Sequence, residues 1–108
     1  MISALEKLLG TPRDGALLRY SLGLEYEKAG SRDKALEHLQ EALGRDPLYS
    51  AAWKALGRVL TELDRPAEAL AAYRKGIAAA GRKGDRQAEK EMTLFARRLE
   101  KKLGGGAP

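Results

Sequence analysis

The sequence predicts an all-α fold built from stacked helical hairpins, and two observations support that prediction. The dipeptide Leu-Gly occurs at Leu22 and again 34 residues later at Leu56, and Ala-Leu occurs with the same separation at Ala35 and Ala69. Alanine, leucine, glutamate, lysine and arginine, which favour helices, dominate the chain, and apolar residues fall at helical spacings. Small and apolar residues that recur at a fixed period are typical of a stack of like units.

Glycine and proline divide the periodic runs into about six helices. The predicted helices span residues 3–9, 16–29, 32–43, 50–63, 65–80 and 85–103. Gly30 predicts the end of the second helix, and Ser31 is a candidate N-cap for the third. Asp64 is expected to cap the fifth helix, which carries Pro66 in its first turn, where the missing N–H is tolerated. The connector 81–84 is expected to be the loosest.

The order of these helices predicts how the chain is organised. Helices two and three form one antiparallel hairpin, and helices four and five form its copy. Helix one matches the second half of a hairpin, and helix six matches the first half of another. We predict a single domain over residues 1–103, divided into a half-repeat at 1–15, repeats at 16–49 and 50–83 and a capping helix at 84–103, with a disordered tail at 104–108.

Two glycines lie in the middle of predicted helices, at Gly23 and Gly57. Each costs about 1 kcal/mol of helix stability relative to alanine. The repetition at one period indicates that a neighbouring helix approaches closely there. The expected facing residues are Ala35 and Ala69, in the paired helix of each hairpin.

The repeated positions resemble the tetratricopeptide repeat, a 34-residue pattern of Trp, Leu, Gly, Tyr, Ala, Phe, Ala and Pro. The first copy supplies Leu22, Gly23, Tyr26, Ala35, Ala42 and Pro47, and the second supplies Trp53, Leu56, Gly57, Ala69 and Tyr73. The resemblance implies a right-handed helical-hairpin solenoid that acts as a non-catalytic protein–protein interaction module or adaptor. It covers residues 16–83 as two full repeats.

The two copies depart from this pattern at several positions. Arg19 stands where the aromatic residue is expected, and Leu39 where phenylalanine is expected. In the second copy, Leu60 stands in place of tyrosine and Gly76 in place of alanine. Gly81 replaces the proline, which leaves the angle of the last helix open.

The resemblance also implies a concave groove lined by the first helix of each repeat. The implied peptide-binding residues are Leu17, Tyr20, Leu24, Glu27, Lys28, Tyr49, Lys54, Arg58, Thr61 and Glu62. They make the groove apolar beside the first repeat and cationic beside the second, where Lys54 and Arg58 lie one helical turn apart. The hypothesis is an extended or helical peptide with an apolar anchor and a carboxylate. In the alternative, these two cations are solvated, and Tyr20 and Leu24 pack against helix one.

Catalytic and metal-binding residue patterns are missing from the sequence. The chain has no cysteine and one histidine, so a typical zinc site or an activated nucleophile is not expected. His38 is interpreted as an exposed surface residue, and Glu25 and Glu27 as solvated charges. Some tetratricopeptide repeats clamp a carboxylate with lysine and asparagine. This chain has no asparagine, so that clamp is not expected. Because the catalytic and metal-binding patterns are missing, neither an enzyme nor a cofactor is predicted.

The net charge of +5 is concentrated near the C-terminal end. Residues 1–80 carry twelve Lys/Arg and eleven Asp/Glu, whereas residues 81–108 carry eight and four. The alternative function is therefore a nucleic-acid-binding accessory factor that uses the basic last helix, although its aromatic residue, Phe95, belongs to the apolar stripe. The lack of a secretory signal or membrane span predicts a soluble cytoplasmic protein without membrane contact. A stack this small is expected to be a monomer or a weak homodimer, in which helix one or the apolar stripe of helix six would pack against a second copy.

Overall fold

The computed structural model describes residues 1–104, which form six α-helices and no strand. The helices span Ile2–Glu6 (α1), Ala16–Lys28 (α2), Arg32–Arg45 (α3), Ser50–Glu62 (α4), Pro66–Lys83 (α5) and Arg86–Leu103 (α6). Helices α2 and α3 pack as one hairpin, α4 and α5 as a second, and α6 packs along α5. The predicted all-α fold is thus confirmed. The predicted tail begins at Gly104, and its residues 105–108 lie outside the described part.

The core runs through the hairpins and into the last helix. Its completely buried large side chains come from four different helices: Leu22, Leu39, Val59 and Met92. Because each helix buries one apolar stripe against its neighbours, the hydrophobic core joins the units of the stack.

Helices α2 and α4 end in the same kind of turn, 34 residues apart. Gly30 has a φ of +80° and Asp64 a φ of +56°, both in the left-handed region. After α4, the amide of Arg65 donates a hydrogen bond to the carbonyl of Leu60 (2.9 Å), as in a Schellman turn. The prediction that Asp64 caps α5 is therefore wrong. Its backbone conformation is used to end α4, and Arg65 occupies the N-cap position.

Three further helix ends refine the predicted boundaries. Ser31 occupies the N-cap position of α3, but its side chain makes no capping hydrogen bond. The expected loose connector 81–84 is largely helical, because α5 continues to the left-handed Gly84 (φ +73°). The carboxylate of Asp85 then accepts a hydrogen bond from the Ala88 amide (3.1 Å) and caps α6.

Gly57 lies against a large side chain of the paired helix. A methyl group built on Gly57 would lie 2.6 Å from two ring atoms of Tyr73. The predicted close approach is confirmed, but the nearest atoms belong to Tyr73 rather than to the expected Ala69. The absence of a side chain at residue 57 leaves the space that the tyrosine ring occupies.

Gly23 has an equivalent neighbour in the first hairpin. A methyl group there would lie 2.7 Å from Cγ of Leu39 and 3.5 Å from the carbonyl oxygen of Ala35. The expected alanine is thus nearby through its backbone, while Leu39 makes the closest contact. In both hairpins, the residue 16 positions after the glycine fills the space beside it.

The departure from the family pattern at Gly76 has a physical explanation. A methyl group on Gly76 would overlap Sδ of Met92 and lie 2.7 Å from Cβ of Trp53. Met92 is completely buried. Gly76 therefore lets α6 dock closely onto the second hairpin.

Arg19 holds the loop before its helix, as the aromatic residue does in the second repeat, but through an ion pair. In the second repeat, the indole nitrogen of Trp53 donates a hydrogen bond to the carbonyl of Pro47 in the preceding loop (2.8 Å). In the first repeat, Arg19 at the equivalent position donates two hydrogen bonds to the Asp14 carboxylate (2.9 and 3.0 Å). Arg45 of α3 adds a bond to the Asp14 carbonyl (2.6 Å). Trp53 and Arg19 thus each fix the loop that precedes their own helix.

The hydrogen bonds of Asp14 in this loop should make the stability of the fold sensitive to acid. Hydrogen bonds from Arg19, then from the Gly10 amide, lower the pKa of Asp14 to about 2. Because that folded-state pKa lies below the unfolded value of about 3.9, the contribution of Asp14 is present above pH ~4 and is lost as pH falls towards 2. We expect Asp14→Asn to lower the melting temperature at pH 7 and to flatten its fall between pH 4 and 2, measured by circular dichroism.

The matched control is Glu37→Gln, which neutralises an exposed carboxylate on α3. This variant should follow the wild-type curve through the same pH interval. If the melting temperature of Asp14→Asn also fell in parallel with wild type below pH 4, the Asp14–Arg19 pair would not carry the acid sensitivity.

Candidate functional site

The first helices of the repeats and α6 lie side by side and enclose a cleft of about 400 Å³. We call it the α2–α4–α6 cleft; it is lined by Tyr20, Leu24, Ala51, Lys54, Arg58, Asp85, Gln87, Ala88 and Glu91. Helix α6 supplies one complete wall. None of the groove residues predicted from the sequence lies on α6, so this wall is an addition to the predicted groove.

Most of the predicted groove residues share this face of the molecule. Tyr20, Leu24, Lys54 and Arg58 line the cleft itself, and the ring of Tyr49 lies 4.9 Å from that of Tyr20 between centroids. A second depression of about 260 Å³ adjoins it and is lined by Lys54, Arg58, Thr61, Glu62, Tyr73 and Phe95.

Three other predicted groove residues do not line either depression. Leu17 is 69% exposed, and the side chain of Lys28 is 75% exposed and pairs with Glu25 of its own helix. Glu27 bonds to a residue of the next repeat instead of facing an open groove. The predicted set is thus divided between the cleft, its neighbourhood and the outer surface.

Arg58 is held by a carboxylate from the preceding repeat. Its Nε and Nη2 atoms donate to the two oxygens of Glu27, at 2.7 and 2.6 Å. These hydrogen bonds lower the pKa of Glu27, whose side chain is only 13% exposed. The interpretation of Glu27 as a solvated charge is therefore wrong, because α2 and α4 bring it into a bidentate ion pair.

Lys54 has a partner on the opposite wall. Its Nζ atom donates a hydrogen bond to Oε1 of Glu91 (2.8 Å), and Oε2 of Glu91 accepts a hydrogen bond from Gln87 (3.3 Å). The hydrogen bond from Lys54 is the main cause that lowers the pKa of Glu91. The expected cationic groove is thus corrected: each of its two cations is paired with a carboxylate from a neighbouring helix.

A second carboxylate adjoins the Glu27–Arg58 pair at one end of the cleft. Burial, followed by the charge of Glu27, raises the pKa of Glu62. Arg32 of α3 lies 3.5 Å from Glu62 and balances part of this charge. These four residues link α2, α3 and α4 through charged side chains.

The other half of the cleft is apolar. Tyr20, Leu24 and Tyr49 form a surface of rings and a leucine, and Ala51 and Ala88 leave room above it. The cleft therefore offers an apolar area beside a row of ion pairs. Such a surface can bind a ligand by burial of apolar groups and by ion pairing.

His38 differs from its predicted position on the open surface. It is half-buried and stacks on the ring of Tyr26, with centroids 5.4 Å apart and planes 5° from parallel. Tyr26 in turn donates a hydrogen bond to Glu6 of α1. Burial is the main cause that lowers the pKa of His38. The repeat indicates this burial in the sequence, because the equivalent residue 34 positions later is alanine, and Ala72 is buried.

The missed wall also has a signal in the sequence. Helices α4 and α6 begin at residues 50 and 86, which are 36 positions apart rather than 34. With that offset, Leu56 corresponds to Met92 and Leu60 to Ala96, and all four are buried. Helix α6 therefore takes the place of a first helix in a third repeat, after a connection two residues longer.

Comparison with known proteins agrees with this architecture. The tetratricopeptide repeat profile matches residues 20–84 of the chain. The chain belongs to the tetratricopeptide repeat family. Proteins of this family are typically protein–protein interaction modules, so the coarse class of function follows from membership.

Two bacterial proteins resemble this tetratricopeptide repeat protein over most of their length. A TPR repeat-containing protein of Pseudomonas aeruginosa is 48% identical over 101 residues, which cover 94% of this chain and 96% of the relative. A protein of Bordetella parapertussis with a known solution structure is 42% identical, with a TM-score of 0.81 over 94% of this chain and 89% of its own.

A co-chaperone from Aspergillus fumigatus is a more distant relative. The heat-shock protein cognate co-chaperone sgt12 is 32% identical over 83 residues, which cover 77% of this chain but only 24% of the co-chaperone. The Sgt2 TPR domain of the same organism is 25% identical, with a TM-score of 0.75 over 99% of this chain and 71% of that domain.

Two features are absent from residues 1–104 of this tetratricopeptide repeat protein. No helix in that range combines the length and apolar character needed to cross a bilayer. The same range contains no group of three His, Asp or Glu side chains placed to hold a metal ion.

Proposed function

We propose that this protein is a non-catalytic adaptor that binds a peptide or helix of a partner protein in the α2–α4–α6 cleft. The observation that supports this proposal is the continuous cleft across three helices, with an apolar half formed around Tyr20 and Leu24 and a charged half around Lys54 and Arg58. Concave surfaces of helical repeats are suited to extended ligands, because neighbouring units present side chains along one line.

The paired cations still have hydrogen-bond donors available to a ligand. Glu27 occupies Nε and Nη2 of Arg58, which leaves Nη1, and Glu91 occupies one of the three donors of Lys54. A partner carboxylate can therefore join these ion pairs without displacing them. We infer a ligand with an apolar anchor for the tyrosine-lined half and a carboxylate for the other half.

The alternative of nucleic-acid binding by α6 receives less support. Non-specific binding of single strands combines basic residues with aromatic rings on which bases stack. The aromatic residue of α6, Phe95, is partly buried and has its ring 5.4 Å from that of Tyr73, so it packs against the second hairpin. Arg98 lies over the same ring at 5.9 Å.

Ala51→Glu tests the proposed cleft. Ala51 is exposed and lines the cleft, so a carboxylate there should repel an acidic ligand and fill part of the space without disturbing the core. We expect at least a tenfold loss of affinity, equivalent to about 1.4 kcal/mol. This substitution tests the cleft more specifically than removing Lys54 or Arg58, because either removal would also leave a carboxylate of a neighbouring helix unpaired and so disturb the fold.

The control is Ala71→Glu, the same change at an exposed helical position in a depression formed by α3, α4 and α5. Wild type and both variants are used as baits in the native cell extract, and captured proteins are quantified by mass spectrometry. A partner retained by wild type and Ala71→Glu but lost by Ala51→Glu supports the cleft. Equal capture by all three baits would exclude the cleft as the site.

A further inference from the structure

Helix α6 has one long face that no helix covers among residues 1–104. In each hairpin, the second helix covers the glycine face of the first, as Tyr73 covers Gly57. With α4 and α6 aligned at their first residues, Gly57 corresponds to Thr93. We call the surface around it the outer α6 face; it encloses about 490 Å³ and is lined by Arg86, Glu89, Lys90, Thr93, Leu94 and Arg97.

An exposed leucine lies at the centre of this face. Leu94 is 50% exposed, so half of a large apolar side chain faces solvent here. Lys90, Arg97 and Lys101 occur at positions −4, +3 and +7 from it, so they share its side of the helix. The face thus combines an apolar centre with a basic border.

The basic residues of this border have no carboxylate partners within the described chain. Three other charged groups of α6 are paired: Glu91 bonds to Lys54, Glu100 to Arg74 and Lys102 to Asp64. By contrast, none of the following forms an ion pair with residues 1–104: Arg86, Lys90, Arg97 and Lys101. The hydroxyl of Thr93 donates to the Glu89 carbonyl (2.7 Å) and needs no other acceptor.

We propose that the outer α6 face binds an acidic amphipathic helix of a partner protein, which docks as the second helix of a third hairpin. Apolar side chains of the partner would cover Leu94, and its carboxylates would pair with Lys90, Arg97 and Lys101. Helix α6 has 18 residues, which offers a partner about 27 Å of length.

Charge selects this occupant over a second copy of the chain. Each copy carries a net charge of +5, and residues 81–108 contribute eight basic and four acidic residues to it. Two copies would repel each other at this face, whereas an acidic helix is attracted. The proposal does not depend on the α2–α4–α6 cleft, which uses Gln87, Ala88 and Glu91 on another side of α6.

A synthetic peptide tests the proposal directly. The probe is an 18-residue acetylated peptide with leucines on one helical face and glutamates beside them, labelled with a fluorophore. Its binding to the full chain is measured by fluorescence anisotropy. We expect Lys90→Glu/Arg97→Glu to weaken binding at least tenfold and Leu94→Ala to weaken it about fivefold. Amide shift changes should be largest around Leu94.

The matched control reverses two exposed cations at the other end of the chain, Lys7→Glu/Arg13→Glu. It changes the net charge by the same amount and should alter affinity less than about threefold. Equal weakening by both double variants would overturn the proposal, because attraction would then follow net charge alone. Equal binding of a scrambled peptide of the same composition would also overturn it. Tighter binding of a single-stranded oligonucleotide, abolished by Lys90→Glu/Arg97→Glu, would assign the face to nucleic acid instead.

Discussion

Replacing Gly57 with alanine is expected to lower the free energy of unfolding by about 1–3 kcal/mol, the usual cost of overpacking a core. Alanine is the better helix former by about 1 kcal/mol, so propensity alone predicts the opposite sign. Packing decides the outcome, because the new methyl group would lie 2.6 Å from the ring of Tyr73. The ring is rigid and buried, so it cannot move aside without shifting α5. Urea denaturation followed by circular dichroism measures the difference.

The chain offers two comparisons for this substitution. Gly44 also lies within a helix, but a methyl group there meets no atom within 4 Å. We expect Gly44→Ala to leave stability unchanged or to raise it by up to about 1 kcal/mol. Gly23→Ala should fall between the two, because its obstacle is Cγ and Cδ2 of Leu39, and a leucine side chain can change rotamer where a tyrosine ring is rigid. If Gly57→Ala proved as stable as Gly44→Ala, close packing would not explain the repeated glycine.

Replacing Met92 with alanine is expected to cost about 2–5 kcal/mol, the range for deleting a large buried side chain. Met92 is completely buried, and its sulfur fills the space left by Gly76. The cavity would loosen the contact between α5 and α6. The amides of α6 should therefore exchange with deuterium faster than in wild type, while those of α2 and α3 change less. Since α6 forms one wall of the α2–α4–α6 cleft, that wall would become more mobile.

The control for this prediction lies on the same helix. Leu94→Ala removes a side chain that is 50% exposed and should change stability by no more than about 1 kcal/mol. Hydrogen exchange of both variants, followed by mass spectrometry, separates docking of α6 from its intrinsic helicity. If exchange in α6 were the same for both variants, Met92 would not be the residue that anchors this helix.

Much of the fold could be predicted from the sequence because its signals are local. Leu22 and Leu56 mark the period, and the apolar stripes around them lie along single helices, so spacing alone reveals them. The prediction that Asp64 caps α5 was wrong because it used the residue type alone. Aspartate is a frequent N-cap, and only the equivalence with Gly30 shows that its left-handed backbone ends the preceding helix.

The candidate site was less predictable, because its charges are arranged between helices. Which residues line a face follows from the repeat, as for Tyr20 and Lys54, but the partner of each charge does not. Glu27 and Arg58 are 31 residues apart in the chain, and Lys54 and Glu91 are 37 apart. No helical spacing links such residues.

The sequence by itself therefore determined the helices, their repeat and the residues that form the core of this protein. Periodic burial requires only that each helix present one apolar side, and that is visible along the chain. Only the tertiary structure decided that α6 completes the cleft, that His38 stacks on Tyr26, and that the groove cations are paired. These features depend on the distances between helices, which are set when side chains such as Met92 pack against glycine in the assembled stack.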